Sequence, residues 1–242
     1  MSPGSVEYLV FEKTDDMWLF TAERWIEISF RAIKERGSFA AALSGGKTPV
    51  EFYRHLSGVA GLEWSRTHLF LVDERFVPPE SSESNYGMLT ETLVNRLPSP
   101  PGGVHPMVTE TSSLIGSAVR YEEELKTFFR LPGGAVPEFD LILLGVGEDG
   151  HTASLFPGAE ALKEKDRLVV PVNLGKVLHD RITLTLPVIN NSWNVIFLVS
   201  GRRKRAVMRK LQKGYDRTLP ASMVSPSRGK AVFLMDREAA GK

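Results

Sequence analysis

The sequence contains no cysteine among its 242 residues. This absence excludes disulfide bonds, a thiolate nucleophile and any metal site with cysteine ligands. The sequence also lacks an apolar run that approaches the roughly 18 residues of a membrane-spanning helix. Its first residues, Met1-Ser2-Pro3-Gly4, have neither the basic region nor the apolar region of a secretory signal peptide. We therefore expect a soluble, cytoplasmic protein that has no membrane partner.

A strong net charge is also missing. The 30 Lys and Arg residues nearly balance the 29 Asp and Glu residues, which leaves a formal net charge of +1 at pH 7. A charge this small creates no overall field that would attract nucleic acid. We therefore expect no nucleic-acid partner, and any anionic ligand must be held by a local cluster of cations. The hydrophobic content of 42% is typical of a packed globular protein.

Apolar runs that are typical of strands alternate along the chain with segments of helical spacing. The predicted strands are residues 8–11, 39–43, 69–72, 141–144, 169–172, 182–186, 195–199 and 231–234. The predicted helices are residues 15–36, 49–56, 85–97, 112–130 and 202–211. This alternation predicts an α/β fold with a layered, mainly parallel sheet flanked by helices. The proline- and glycine-rich stretches at 98–103 and 132–137 have the length of loops, so we expect a single domain over residues 1–242.

The most unusual segment is residues 139–158, FDLILLGVGEDGHTASLFPG. A continuous apolar run ends there in a glycine-rich turn that carries Asp149 and His151. Ligands bind at the carboxyl ends of strands in open α/β sheets, and histidine is the side chain best suited to proton transfer near neutral pH. His151 is therefore a candidate acid or base, and a purely structural histidine is the alternative.

A second glycine-rich turn, Ser44-Gly45-Gly46-Lys47-Thr48-Pro49, follows the predicted strand 39–43. Backbone N–H groups at a strand-to-helix turn, together with the positive end of the helix, can converge on a phosphate. The turn is not a nucleotide-binding P-loop, because that motif needs a glycine where this chain has Ala41. A plain tight turn is the alternative.

Cationic side chains are predicted beside other strands. Arg75 follows the predicted strand 69–72, Arg181 precedes the strand 182–186, and Lys204 follows the strand 195–199. Arg75 offers a guanidinium, a good donor for an oxyanion, although surface ion pairs and solvated basic faces are the alternatives. Several such groups beside several strands favour a pocket for a phosphorylated metabolite.

The glycine-rich turns and the cationic segments described above resemble those of the 6-phosphogluconolactonases, which share a fold with the glucosamine-6-phosphate deaminases. The resemblance covers nearly the whole chain. The matching blocks are LSGGKTP at 43–49, VDERFV at 72–77 with SNY at 84–86, GVGEDGHTASLFPG at 145–158, RITLT at 181–185, and Gly201 with Lys204. The resemblance implies a Rossmann-like fold and hydrolysis of 6-phosphogluconolactone in the oxidative pentose phosphate pathway, without a metal or an organic cofactor.

The resemblance also implies roles for individual residues. His151 resembles the general base that activates water, Asp149 resembles its orienting partner, and Arg75 resembles a residue that holds and polarises the substrate. The implied phosphate cradle comprises Ser44, Gly45, Gly46, Lys47, Thr48, Arg181 and Lys204. Lys47 stands where the family often carries serine. Asp73 and Asn85 are further candidates for the pocket.

Two other functions stay open at the level of the sequence. A sugar-phosphate isomerase or deaminase on the same scaffold would use Asp73 for proton abstraction, but the deaminases carry a carboxylate five residues beyond the histidine, where this chain has Phe156. A sugar-phosphate-binding regulator without catalysis is the other alternative, against which the presence of His151 and Asp149 argues. No Gly-x-Ser-x-Gly elbow indicates a serine nucleophile, so direct attack by water is the simpler mechanism.

Overall fold

A computed structural model describes residues 5–110, 113–175 and 179–242. Its main sheet contains seven strands. With strands numbered in chain order, their spatial order is β1 (Ser5–Phe11), β10 (Lys230–Asp236), β9 (Asn194–Val199), β6 (Leu141–Leu144), β2 (Phe39–Leu43), β3 (Thr67–Leu71) and β5 (Gly103–His105). All neighbouring pairs are parallel. The predicted α/β fold with a mainly parallel sheet is confirmed.

Helices connect the strands and pack against the sheet. They are α1 (Thr14–Arg36), α2 (Lys47–Leu56), α3 (Asn85–Thr92), α4 (Leu114–Phe128), α5 (Leu186–Asn190), α6 (Arg205–Leu211) and α7 (Arg237–Ala240). In α1, residues at helical spacing bury a face that includes Met17 and Trp25, and Trp25 meets Phe39 of β2 edge to face. Gly37 ends this helix in the left-handed conformation at φ 83°.

A second sheet, not predicted from the sequence, adjoins the carboxyl end of β3. It is antiparallel, in the order β4 (Asp73–Arg75), β8 (Arg181–Leu184) and β7 (Val169–Val172). Val72 joins the two sheets, because its N–H donates to the Leu43 carbonyl at 3.0 Å and its carbonyl accepts from the Leu184 N–H at 2.8 Å. The predicted strand 69–72 therefore ends at the point where the chain passes from one sheet to the other.

Several helix boundaries differ from the predicted ones. α2 begins two residues before Pro49, which the first turn tolerates because its N–H groups have no partner within the helix. The predicted helix 85–97 is α3 followed by a 3₁₀ turn at Val94–Arg96, and the predicted helix 202–211 starts with a 3₁₀ turn at Arg202–Lys204. The predicted helix 112–130 corresponds to α4, and Ser112 lies outside the described residues.

The strand order creates a crevice between β2 and β6. From β2 the sheet continues outward to β3 and β5, whereas from β6 it continues in the opposite direction to β9, β10 and β1. Ligands in open α/β sheets bind outside the carboxyl ends of strands at such a switch point. The residues that follow β2 and β6 are the two glycine-rich turns noted in the sequence.

One hydrophobic cluster contains buried residues of both sheets, among them Phe70 of β3, Leu143 of β6 and Ile182 of β8. The small sheet is thus packed into the same core that supports the main sheet, which fixes the strand ends around the crevice. Within the described ranges, no helix has the length and apolar character needed to cross a membrane.

Candidate active site

A pocket of about 1000 Å³ lies where the loops after β2, β6 and β9 meet the small sheet. It brings together every site residue proposed from the sequence. These residues are Ser44, Gly45, Gly46, Lys47, Thr48, Asp73, Arg75, Asn85, Asp149, His151, Arg181 and Lys204. They come from segments far apart in the sequence. The parallel strands place their carboxyl ends at one edge of the main sheet, and the small sheet, which carries Asp73, Arg75 and Arg181, adjoins that edge.

His151 and Asp149 form a short hydrogen-bonded pair in the turn after β6. Asp149 Oδ1 lies 2.6 Å from His151 Nδ1 and accepts the His151 backbone N–H at 3.1 Å. The Gly147 N–H closes the turn on the His151 carbonyl at 2.8 Å. Glycine is required at 147, because a Cβ atom there would overlap both the imidazole and the Asp149 carboxylate. A carboxylate on Nδ1 holds the proton there and leaves Nε2 free to act as a base.

The surroundings of the pair keep Asp149 charged and anchor the imidazole. Partial burial raises the pKa of the Asp149 carboxyl group, but hydrogen bonds and charge from His151 outweigh this effect, so the pKa lies below its ordinary value. The Phe156 ring packs on the imidazole with 4.6 Å between the centroids. The His151 side chain is 33% exposed. The imidazole is therefore held by an anion and by an apolar ring while it stays accessible from the pocket.

Arg75 is fixed to the first turn of α3. Its Nη1 atom donates to Asn85 Oδ1 at 2.9 Å and to the Glu83 carbonyl at 2.7 Å, and its Nε atom lies 3.4 Å from the Glu83 carboxylate. Asn85 Nδ2 donates in turn to the Asp73 carbonyl at 2.8 Å. Both ends of the Asn85 amide are thus engaged, and they hold the guanidinium at the wall of the pocket.

Arg181 lies opposite Arg75 in the register of β4 and β8. Its Nη1 atom is 3.9 Å from Asp73 Oδ2, which also accepts a 2.6 Å hydrogen bond from Ser154 Oγ. Burial lowers the pKa of Arg181, an effect that Asp73 opposes and Arg75 reinforces. Arg181 Nε is buried and has no hydrogen-bond partner in the described part of the chain. Two adjacent guanidinium groups of this kind favour an anionic ligand.

The glycine-rich turn after β2 forms another wall of the pocket. A Cβ atom at Gly45 would overlap the Asn85 side-chain amide, so only glycine allows this close approach. The Thr48 and Ser200 hydroxyl oxygens lie 2.8 Å apart and link this turn to the loop after β9. Ser44 Oγ is buried and, among residues 5–110, 113–175 and 179–242, has no hydrogen-bond partner. α2 begins within this turn, and a helix N-terminus attracts phosphate groups.

Lys204 is placed by the turn that follows β9. Its backbone N–H donates to the Gly201 carbonyl at 3.0 Å, and the Gly201 N–H donates to the Asp236 carboxylate at 2.9 Å. Burial lowers the pKa of the Lys204 ammonium group, an effect that Glu148 and Asp149 oppose. The ammonium group is therefore partly desolvated in a pocket that could receive an anion.

Three residues that organise the site were missed as candidates in the sequence. Glu74 is buried against the first turn of α3, Ser154 donates to Asp73, and Ser200 contacts Thr48. Glu74 left no clear signal, because it stands two residues beyond the predicted strand 69–72 and its burial is visible only in the structure. The two serines left none, since their contacts arise only when distant segments meet.

The described residues contain no group of three or more His, Asp or Glu side chains placed to hold a metal ion. The polar groups of the pocket include a histidine–carboxylate pair, the guanidinium groups of Arg75 and Arg181, and the ammonium group of Lys204. Such a set can remove a proton from water, stabilise a developing oxyanion and hold a phosphate.

The chain is similar to known proteins along almost its whole length. The family described as glucosamine-6-phosphate isomerases/6-phosphogluconolactonase matches residues 12–233. The 6-phosphogluconolactonase of a Synechocystis strain is 40% identical over 211 residues, which cover 86% of this chain and 86% of that relative. The crystal structure of 6-phosphogluconolactonase from Thermotoga maritima matches with a TM-score of 0.82 at 30% identity. The match covers 96% of this chain and 100% of the Thermotoga chain. A monomeric glucosamine-6-phosphate deaminase gives a TM-score of 0.80 at 22% identity, covering 97% of this chain and 99% of its own, and is similar in fold.

Proposed function

Because the chain belongs to the family of glucosamine-6-phosphate isomerases and 6-phosphogluconolactonases, we propose that it hydrolyses 6-phospho-D-glucono-1,5-lactone to 6-phospho-D-gluconate. It is a carboxylic ester hydrolase of the oxidative pentose phosphate pathway. The observation that carries the proposed mechanism is the His151–Asp149 pair, joined at 2.6 Å in a pocket that also contains Arg75, Arg181 and Lys204.

In the first step, His151 Nε2 removes a proton from a water molecule whose oxygen attacks C1 of the lactone. Asp149 holds Nδ1 and stabilises the imidazolium that forms. The carbonyl oxygen gains a negative charge, which the Arg75 guanidinium stabilises. Because Asn85 already fixes Arg75, no large reorganisation is needed at the moment of attack.

In the second step, the bond between C1 and the ring oxygen breaks. The imidazolium returns its proton to the ring oxygen, which leaves as a hydroxyl group of the open chain. The new carboxylic acid releases a proton to solvent, and neutral His151 is restored. The reaction balances with one water molecule consumed for each lactone opened.

The phosphate of the substrate is held at the glycine-rich turn and by the remaining cations. In this proposal Ser44 to Thr48 supply hydroxyl and backbone N–H groups, and Arg181 and Lys204 supply charge. Binding energy at this remote group fixes the lactone carbonyl beside His151.

The structure offers less support for an isomerase or deaminase. Asp73 would have to remove a carbon-bound proton, but its carboxylate accepts a hydrogen bond from Ser154 at 2.6 Å and lies near Arg181. Phe156 packs on the imidazole where the deaminases carry a carboxylate, and an aromatic hydrocarbon ring cannot relay protons. Hydrolysis needs neither of these groups as an acid or base.

The decisive experiment is a coupled assay that generates 6-phosphogluconolactone in situ and follows its loss against the spontaneous rate. We expect the chain to accelerate ring opening, and His151→Ala, purified in parallel, to serve as the control for a contaminating enzyme. Binding of 6-phosphogluconate without any acceleration would instead support a non-catalytic regulator. Equal rates with and without the protein, and no binding, would refute the proposed function.

The substrate partner in this proposal is a small sugar-phosphate lactone. The cytoplasm, expected from the sequence, is the proposed location. Fractionation of the source cells would test this location.

A further inference from the structure

Glu74 is a buried carboxylate that the proposed mechanism does not use. Its side chain accepts four hydrogen bonds, from the N–H groups of Arg75, Asn85 and Tyr86 at 2.7 Å each and from Ser84 Oγ at 3.1 Å. The residue is 1% exposed. Burial raises the pKa of its carboxyl group, and the four hydrogen bonds oppose that shift. A carboxylate is costly to bury unless its oxygen atoms accept hydrogen bonds. Each oxygen of Glu74 accepts two.

The contacts of Glu74 close a ring of hydrogen bonds around Arg75. Glu74 Oε1 accepts from the backbone of both Arg75 and Asn85, and the Asn85 side chain accepts from the Arg75 guanidinium at 2.9 Å. The backbone and the side chain of Arg75 are thus tied to the same turn. Because three of the four donors to Glu74 are backbone N–H groups, they can only donate, and the carboxylate is their acceptor.

We propose that Glu74 is a positioning residue for lactone hydrolysis, which locks the first turn of α3 against β4 so that Asn85 can aim the Arg75 guanidinium at the substrate. This inference rests on the proposed function. Glu74 itself contacts no reacting atom, since it is absent from the lining of the pocket. Its effect on the reaction passes through Arg75.

Glu74→Gln is the most informative variant because it keeps the shape and removes one acceptor oxygen. A glutamine oxygen can still accept two of the backbone N–H groups, but its NH₂ group would face the N–H of Tyr86, donor against donor. We expect the turn to loosen without collapse. The variant should lower kcat by about 10- to 100-fold, since a misplacement of ~1 Å can cost about 100-fold, and should raise KM by a smaller factor.

Glu122→Gln is the matched control. Glu122 is also buried, and it clamps α4 to the segment at β7 by accepting from Arg167 Nε, from the N–H groups of Leu168 and Val169, and from Lys126. It does not line the pocket. Both variants should lower the melting midpoint, but only Glu74→Gln should lower kcat when both are assayed below their midpoints.

A double-mutant cycle with Arg75→Ala separates positioning from a general structural effect. If Glu74 acts through Arg75, adding Glu74→Gln to Arg75→Ala should lower kcat by less than about threefold. Wild-type kcat in Glu74→Gln, or the same loss in both backgrounds, would overturn the proposal.

If Glu74→Gln does not fold, Asn85→Ala replaces it in the cycle, and additive losses of kcat from Asn85→Ala and Arg75→Ala would overturn the proposal equally. The wild type is measured in the same assay, so a failure of the proposed function is seen as absent turnover before any variant is compared.

Discussion

At the scale of the residue, the proposed role of His151 as a base depends on a neighbour two positions away in the same turn. Asp149 fixes which imidazole nitrogen carries the proton. His151→Ala should lower kcat by about two to four orders of magnitude, the usual contribution of a positioned acid or base. Asp149→Asn should cost less, because Asp149 orients the ring and transfers no proton. The coupled lactone assay measures both, and a larger loss from Asp149→Asn would reverse the assigned roles.

Lys204 should make ligand binding sensitive to alkaline pH. Burial lowers its pKa, so the ammonium group loses its proton at a lower pH than the ordinary lysine value of about 10.4. Affinity for 6-phosphogluconate should therefore decrease at a lower pH than the titration of an ordinary lysine would cause. Titration calorimetry at neutral pH and at a series of alkaline pH values tests the prediction. Lys204→Arg, which stays charged, should show a smaller decrease, and equal decreases in both proteins would remove Lys204 from the anion site.

Phe156 should discriminate between hydrolysis and enolisation. The wild type should release no detectable ammonia from glucosamine 6-phosphate. Phe156→Glu should not create that activity, and it should slow lactone hydrolysis by about tenfold or more, since a partly buried charge beside the His151–Asp149 pair is unfavourable. Phe156→Leu, which keeps an apolar contact with the imidazole, is the control and should lose less. Ammonia release by the wild type would contradict this interpretation.

The residues differ in how far the sequence could reveal them. His151 and Asp149 were predictable because their pairing is local and sits in a glycine-rich turn at a strand end. Arg75, Arg181 and Lys204 were predicted as cations near strands, but their convergence needed the strand order. The contact between Ser154 and Asp73 could not be predicted, because it joins segments 81 positions apart.

At the scale of the element, strands of four or more residues were recognisable, whereas the three-residue strands β4 and β5 were not. β5 begins at Gly103, the last residue of the stretch 98–103 that was predicted to be a loop. It is a strand because it pairs with β3. β4 is polar and is a strand only because β8 pairs with it. Such strands are defined by partners distant in the sequence, so local periodicity carries no signal for them.

The contact between the turn after β2 and α3 gives a prediction at this scale. Gly45→Ala should force α3 and the turn apart, because the added Cβ atom would overlap the Asn85 amide. We expect a loss of stability of about 1–3 kcal/mol, typical of overpacking, together with a lower kcat as Arg75 loses its anchor. Gly133→Ala is the control, since a Cβ atom there meets nothing within 4 Å. Chemical denaturation and the lactone assay measure both effects, and unchanged values for Gly45→Ala would refute this steric argument.

At the scale of the whole molecule, both sheets share one hydrophobic cluster. We propose on this basis that the chain is one domain and predict a single cooperative transition in scanning calorimetry. The sequence has one glutamine and no cysteine, a composition found in thermophilic proteins. The midpoint should therefore exceed the range of about 45–65 °C that is typical of mesophilic domains. Two resolved transitions would contradict the single domain, and a midpoint within that range would contradict the inference from composition.

The division of the site between two sheets has an evolutionary consequence. His151 follows a strand of the parallel sheet, whereas Arg75 and Arg181 are cross-strand neighbours in the antiparallel sheet. Mutations at Arg181 can therefore change which sugar phosphate is accepted while Arg75, the imidazole and its carboxylate are inherited intact. Mutations after β6, at Phe156 together with neighbours that accommodate a second charge, can change the reaction while the ligand preference is retained. A lineage with this architecture can diverge in chemistry and in substrate by separate mutational steps.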